Sequence, residues 1–166
     1  MASMEACIPA LRRYAGALLR DRQEVDDLVH DCLVRALERL HTRQDDGNLR
    51  AWLFTILHNL FVSQARRGQR RGGMRSLDEV AEETFSQRAS QETHVETNEL
   101  LRAVDALPQD QRSVLLLVVV EDLTYAEVAV VLGIPIGTVM SRLARARDRL
   151  ARTSGRDAAP ALRRVK

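Results

Sequence analysis

The run from Asp122 to Leu143 constrains this chain most, because its punctuation allows two helices joined by a tight turn and little else. Thr124 can cap a first helix through its hydroxyl, and Glu127, three residues on, completes a capping box. Gly133 stops that helix and Pro135 cannot continue it, while Gly137-Thr138 is read as opening a second helix with another hydroxyl cap. This is helix-turn-helix punctuation. In the second helix Val139, Leu143, Ala146 and Leu150 recur at helical spacing and face the first, leaving Ser141, Arg142, Arg145 and Arg149 on a broad polar side. Early residues of such a helix meet base edges and flanking Arg and Ser hold phosphates, so Arg142 and Arg145 are the best placed candidates. An amphipathic surface helix kept soluble by arginines is the plain alternative; the capped Gly-Pro-Gly turn favours DNA.

The 166 residues allow one domain or two small ones. Aromatic residues make up only 4%, so the cores are built from Leu, Val and Ala, which at helical spacing favours bundles over sheets. A net charge of +2 does not argue for a nucleic-acid partner, but the stretch from Thr138 onward is markedly basic and every basic residue except Lys166 is arginine. That choice suits phosphate; it equally follows from a coding bias. Two cysteines, Cys7 and Cys32, give no disulfide framework, and with no secretory signal a reducing cytoplasm is expected. The longest apolar run, Val114 to Val120, is too short for a membrane span and suits a buried helix. His30 and Cys32 point to different helix faces, and His41, His58 and His94 lack ligand spacing, so no metal, cofactor or catalytic centre is expected.

The first half reads as three helices. Ile8, Leu11, Tyr14, Ala15, Leu18 and Leu19 form one stripe; Val25, Leu28, Val29, Cys32, Leu33, Ala36, Leu37 and Leu40 form a second, with Glu24, Asp26 and Asp27 near its positive end. The polar loop from Thr42 to Asn48 follows, and Asn48 can cap the third helix, from Leu49 to about Arg67. Trp52, Phe54, Ile56, Leu57, Leu60, Phe61 and Val62 cover most of that helix's circumference, more than one buried stripe requires, before it ends in Asn59, Ser63, Gln64, Arg66 and Arg67. Rings beside arginines can stack on unpaired bases, although Trp52 and Phe54 serve equally as core. The expected organisation is all-α: a helical domain over 1–67, a flexible polar linker over 68–97, a helix-turn-helix domain over 98–152 and a basic tail over 153–166. Within the second domain, periodicity resumes with Leu100, Leu101, Val104 and Leu107, and a helix from about Gln109 to Glu121 precedes the helix-turn-helix.

In order, Tyr14-Ala15, Asp26-Asp27-Leu28-Val29-His30-Asp31, Arg35-Ala36-Leu37, Leu49-Arg50-Ala51-Trp52-Leu53-Phe54-Thr55-Ile56, Asn59, Leu107-Pro108-Gln109-Asp110-Gln111-Arg112, Leu123-Thr124-Tyr125-Ala126-Glu127-Val128-Ala129 and Gly137-Thr138-Val139-Met140-Ser141-Arg142-Leu143-Ala144-Arg145-Ala146-Arg147 closely resemble the small bacterial sigma factors of the extracytoplasmic-function group. The resemblance spans about Leu11 to Leu150. It implies a non-enzymatic protein that binds core RNA polymerase, directs it to promoters in a stress response and helps open the duplex, with no membrane insertion and with an anti-sigma factor as its inhibitor. By this likeness Asp27, Leu28, Asp31, Leu33 and Arg35 would contact the clamp helices of the beta-prime subunit. Asn48, Trp52, Asn59 and Ser63 would receive an unstacked base of the -10 element, with Arg66 and Arg67 on nearby backbone, and Thr138, Ser141, Arg142 and Arg145 would read the -35 element. Melting needs an extruded base, whereas the -35 element can be read as duplex in the major groove. Three departures stand out: Met140 replaces a frequently basic residue, Ala144 a bulkier one, and His30 a frequent Gln. A sigma mimic that occupies an anti-sigma factor has no need of Arg142 and Arg145, and an ordinary helix-turn-helix regulator leaves the third helix and the acidic second helix unexplained.

Overall fold

In a computed structural model of the chain, residues 3–42, 48–71 and 94–153 are described, and all the regular structure among them is helical. Helix α1 (Met4–Leu18) starts where the Ser3 hydroxyl accepts from the Ala6 N–H, and it buries Cys7, Ala10, Leu11, Tyr14, Ala15 and Leu18. Helix α2 (Arg22–Arg39) starts at Asp21, whose carboxylate accepts from the backbone N–H groups of Gln23 and Glu24 at 2.7 and 3.1 Å. Such a cap contributes about 1 kcal/mol, and the negative charge suits the helix's positive end. Leu28, Val29, Cys32 and Ala36 are its buried face. Leu37 and Leu40, read from the sequence as part of that stripe, are instead 58% and 45% exposed, because the bundle covers only the narrower Leu28-Cys32-Ala36 line.

Helix α3 (Leu49–Arg71) begins at the expected cap: Asn48 Oδ1 accepts from the N–H groups of Arg50 and Ala51. It continues past Arg67 to Arg71, because nothing in Gly68-Gln69-Arg70-Arg71 blocks helical geometry. Phe54 and Phe61 are core residues, 0% and 5% exposed, and Phe54 meets Tyr14 edge-to-face at 5.5 Å. Neither ring is available to stack on a base.

The second domain starts with α4 (His94–Asp105), several residues before periodicity is evident in the sequence. Leu100 and Leu101 are half-exposed, and Ala103 and Leu107 carry the packing instead. Helix α5 (Gln109–Leu115) runs into a π-helical turn, Leu116–Val120, in which the Glu121 N–H bonds the Leu116 carbonyl. Val119 and Val120 are 42% and 45% exposed, so the apolar run is buried only as far as Leu117. Helix α6 (Tyr125–Leu132) has the full capping box between Thr124 and Glu127, and it ends at Gly133 with φ of 63°, a left-handed conformation that glycine adopts freely. Helix α7 (Ile136–Thr153) then departs at 101° to α6. Thr138 does not cap it. The helix opens at Ile136, and the Pro135 carbonyl accepts from the N–H groups of Thr138 and Val139, placing Thr138 inside the first turn. Among the described residues no single helix is long and apolar enough to cross a membrane.

The two domains share one continuous core. Helix α3 packs against α1 and α2 on one side and against α6 on another, which accounts for the apolar residues around most of its circumference.

Candidate nucleic-acid and polymerase interface

On α7, Val139, Leu143, Ala146 and Leu150 are buried, while Ser141, Ala144, Arg145, Asp148 and Arg149 are exposed. The helix therefore offers solvent a polar strip whose first turns hold Ser141 and Arg145, as groove entry requires. Arg142 is placed differently. It is half-buried and its Nε lies 3.3 Å from the Asp110 carboxylate of α5, on the edge of a cleft also lined by His58 and Val62 of α3. Thr138 is partly buried, and Met140 stands 53% exposed beside the strip.

On the first domain, Asn59, Ser63, Arg66 and Arg67 lie along the exposed side of α3, the Ser63 hydroxyl bonding the Asn59 carbonyl. They form one polar row at helical spacing. Trp52 is half-buried against the core. Asn48 is exposed yet engaged, since its amide donates to Glu127 of α6. Of the expected linker, residues 68–71 belong to α3 and 94–97 to α4; residues 43–47 of the loop, 72–93 of the linker and 154–166 of the basic tail lie outside the described residues.

Helix α2 presents Asp27, Asp31 and Arg35 to solvent, with Leu33 partly buried. Leu28 is 0% exposed, so it packs inside the bundle and has no surface to offer a partner here. Val34 and Leu37 on this helix, and Leu40 in the 3-10 turn that follows it (Leu40–Thr42), are exposed apolar side chains that the sequence reading did not single out as contacts.

A cluster missed by sequence reasoning joins the domains. Glu121, 1% exposed, receives Arg13 Nε and Nη2 at 2.9 and 2.8 Å and Arg50 Nη2 at 2.6 Å. Arg50 also stacks over the Phe54 ring at 5.7 Å. Nearby, Glu127 is held below its ordinary carboxylate range: partial burial opposes its charge, but hydrogen bonds from the Thr124 N–H and hydroxyl and from Asn48 outweigh it. His58 and the buried Tyr14 hydroxyl are 3.1 Å apart, and desolvation lowers the imidazole to about 4, so it is neutral at physiological pH. Burial likewise pushes the Cys32 thiol up to about 12, which keeps it protonated and unreactive.

The chain is similar to known proteins in sequence and in fold. The family model described as Sigma-70, region 4 matches residues 97–150, and that of the Sigma2 domain of PhyR matches 4–58. The ECF RNA polymerase sigma factor EcfG of Rhodopseudomonas palustris is 41% identical over 145 residues, covering 87% of this chain and 79% of that protein. The ECF RNA polymerase sigma factor SigM of Mycobacterium tuberculosis is 31% identical, covering 87% of this chain and 71% of that protein. Among solved structures, the sigma factor RpoE of Bartonella quintana, in complex with the anti-sigma factor NepR, superposes with a TM-score of 0.78 at 31% identity, covering 93% of this chain and 96% of that one. With both domains matched in order and the whole described fold shared, this chain belongs to the ECF RNA polymerase sigma factors.

Proposed function

We propose that the chain is a promoter-specificity subunit, itself without enzymatic activity, which works in the cytoplasm by docking on core RNA polymerase through α2 and reading promoter DNA through α3 and α7. The observation that carries this reading is the separation of two exposed polar rows. One is Asn59, Ser63, Arg66 and Arg67 on α3; the other is Ser141, Arg145 and Arg149 on α7. Each row sits on a helix whose opposite side is locked in a core, as a rigid reading head needs. On α3 the amide of Asn59 is free to meet an extruded base edge, with Arg66 and Arg67 placed for phosphate. Trp52, half-buried against the core, anchors the same helix. On α7, Ser141 and Arg145 reach base edges; Arg142 joins them only by leaving Asp110, and Thr138 lies at the helix's first turn near the backbone.

On α2 the charged groups Asp27, Asp31 and Arg35 flank the exposed apolar residues Val34 and Leu37, with Leu40 just past the helix end, a mixed surface suited to a helical partner such as the clamp helices. Leu33 lies at the rim of that surface, and Leu28 holds the helix from inside. An anti-sigma factor is the proposed inhibitor, by the likeness to a relative solved with one. The test of the promoter-opening role is permanganate footprinting of open complexes formed with core polymerase. Asn59→Ala should diminish reactive thymines in the -10 element while leaving the melting temperature of the free protein unchanged. Normal opening with a lowered melting temperature would show Asn59 to be structural.

A further inference from the structure

We propose that Ile136 and Met140, continued by Ala144, form an apolar reading row on α7 that selects thymine in the -35 element by its C5 methyl group. The inference rests on the sigma-factor reading above and deepens it, naming the kind of base that this helix favours. Ile136 and Met140 are 50% and 53% exposed, and Ala144 is exposed as well. None is needed inside, because Val139, Leu143, Ala146 and Leu150 already fill the buried face. Single apolar residues scatter over any protein surface, but these three recur every four residues and so lie on one side of the helix. Met140 and Ala144 directly precede Ser141 and Arg145, so the apolar row runs beside the polar strip proposed to meet base edges. Gly137 lies between the two rows in the first turn and adds no side chain there, which lets the helix settle close to the groove floor.

The chemistry of the major groove picks the ligand. Every base pair offers hydrogen-bonding edges there, and the thymine C5 methyl is the groove's apolar projection. An isoleucine or methionine pressed on a purine edge or on the cytosine amino group strips water from a donor or acceptor and returns no hydrogen bond. Against a methyl group the same side chains bury apolar surface without that cost. The spacing also suits the groove: four helical residues rise about 6 Å, close to two base-pair steps of about 3.4 Å each. Methionine is unbranched and polarisable, so Met140 can adjust to the position of the methyl. No charge stands in the row, which therefore adds discrimination between bases without adding attraction to phosphate.

Competition between two templates for a limiting amount of core polymerase carrying the full chain tests this. Both templates hold the same promoter, chosen from fragments whose transcription depends on the chain, and they differ in run-off length and in one base. A thymine of the -35 element, on either strand, is replaced in the second template by deoxyuridine, which removes the methyl group and leaves pairing intact. Burial of one methyl-sized group corresponds to about fourfold in binding, so the wild-type chain should favour the thymine template about three- to fivefold at one or more positions. Met140→Ala and Ile136→Ala, both at exposed sites where the fold is kept, should bring the ratio toward one at the position each side chain meets. A wild-type ratio of one at every thymine would overturn the proposal, and it is the result expected if the row serves a protein partner instead. A preference that survives both substitutions would overturn it too. If no fragment yields a chain-dependent transcript, the sigma-factor reading has failed and this proposal with it. Chain-dependent transcripts that fall with Arg145→Ala but ignore the methyl group would overturn the proposal alone.

Discussion

Helices α7 and α3 both carry residues proposed to meet DNA, yet they are built on opposite terms. Helix α7 has a single buried face, Val139, Leu143, Ala146 and Leu150, and everything off that line is free to be polar. Helix α3 is wedged between α1 and α2 on one side and α6 on another, so Leu53, Phe54, Ile56, Leu57, Leu60 and Phe61 are all enclosed and only a narrow row is left for chemistry. A helix buried along one face declares its function by periodicity; a helix shared by two domains conceals it, because the second layer of packing looks like surplus hydrophobicity.

The largest effect that could break this contrast is on stability. Leu57→Ala, at a fully enclosed site of α3, should cost about 2–5 kcal/mol, and by thermal melting it should loosen both domains together because the core is continuous. Met140→Ala, at a 53% exposed position of α7, should stay within about 0.5 kcal/mol of wild type. Equal losses at the two sites would mean that the helices are not buried so differently.

The cleft lined by His58, Val62 and Asp110 should also be sensitive to acid. His58 of α3 has a folded pKa lowered from 6.5 to about 4, so between those values the unfolded chain binds a proton that the folded chain refuses. The sign follows: this contribution is fully present above pH 6.5 and is lost as pH falls toward 4, amounting to about 3 kcal/mol. Urea unfolding across that range should show the decline in wild type and a shallower one in His58→Gln. Parallel curves for the two proteins would place His58 in water.

What could be read from the sequence follows the same division. The capping box of Thr124 and Glu127, the stop at Gly133, the Asn48 cap and the α7 stripe are set by contacts three or four residues apart, and all stand in the structure. Long-range features were not legible. Nothing near Glu121 in sequence marks it as the partner of Arg13 and Arg50, which are 108 and 71 residues away. Arg142 and Arg145 look equivalent on a helical projection, but only the structure reveals that Asp110 engages one of them. Leu28 shares a helix with the charged residues around it and differs from them only in depth. Thr138 shows a local limit: a hydroxyl beside glycine resembles a cap, but the Pro135 carbonyl starts the helix one turn earlier.

Sharper distinctions lie within α7. If Arg145 reads a base bidentately, Arg145→Ala should cost about 1–3 kcal/mol of binding and relax preference at one position of the -35 element. Arg142→Ala should cost less, because the arginine must first give up Asp110; fluorescence anisotropy at fixed salt would rank them, and the reverse order would make Arg142 the reader. The smallest expected effect is at the cap of α6, where Thr124→Ala should cost about 1 kcal/mol in chemical denaturation and leave the base preference of α7 unchanged.

The central claim is tested most directly by run-off transcription with purified core RNA polymerase on a library of genomic promoter fragments, with and without the full chain. The account predicts promoter-specific transcripts that appear only when the protein is added and weaken with Asn59→Ala and Arg145→Ala. A transcript pattern identical with and without the protein, under conditions where the polymerase responds to another sigma factor, would contradict it.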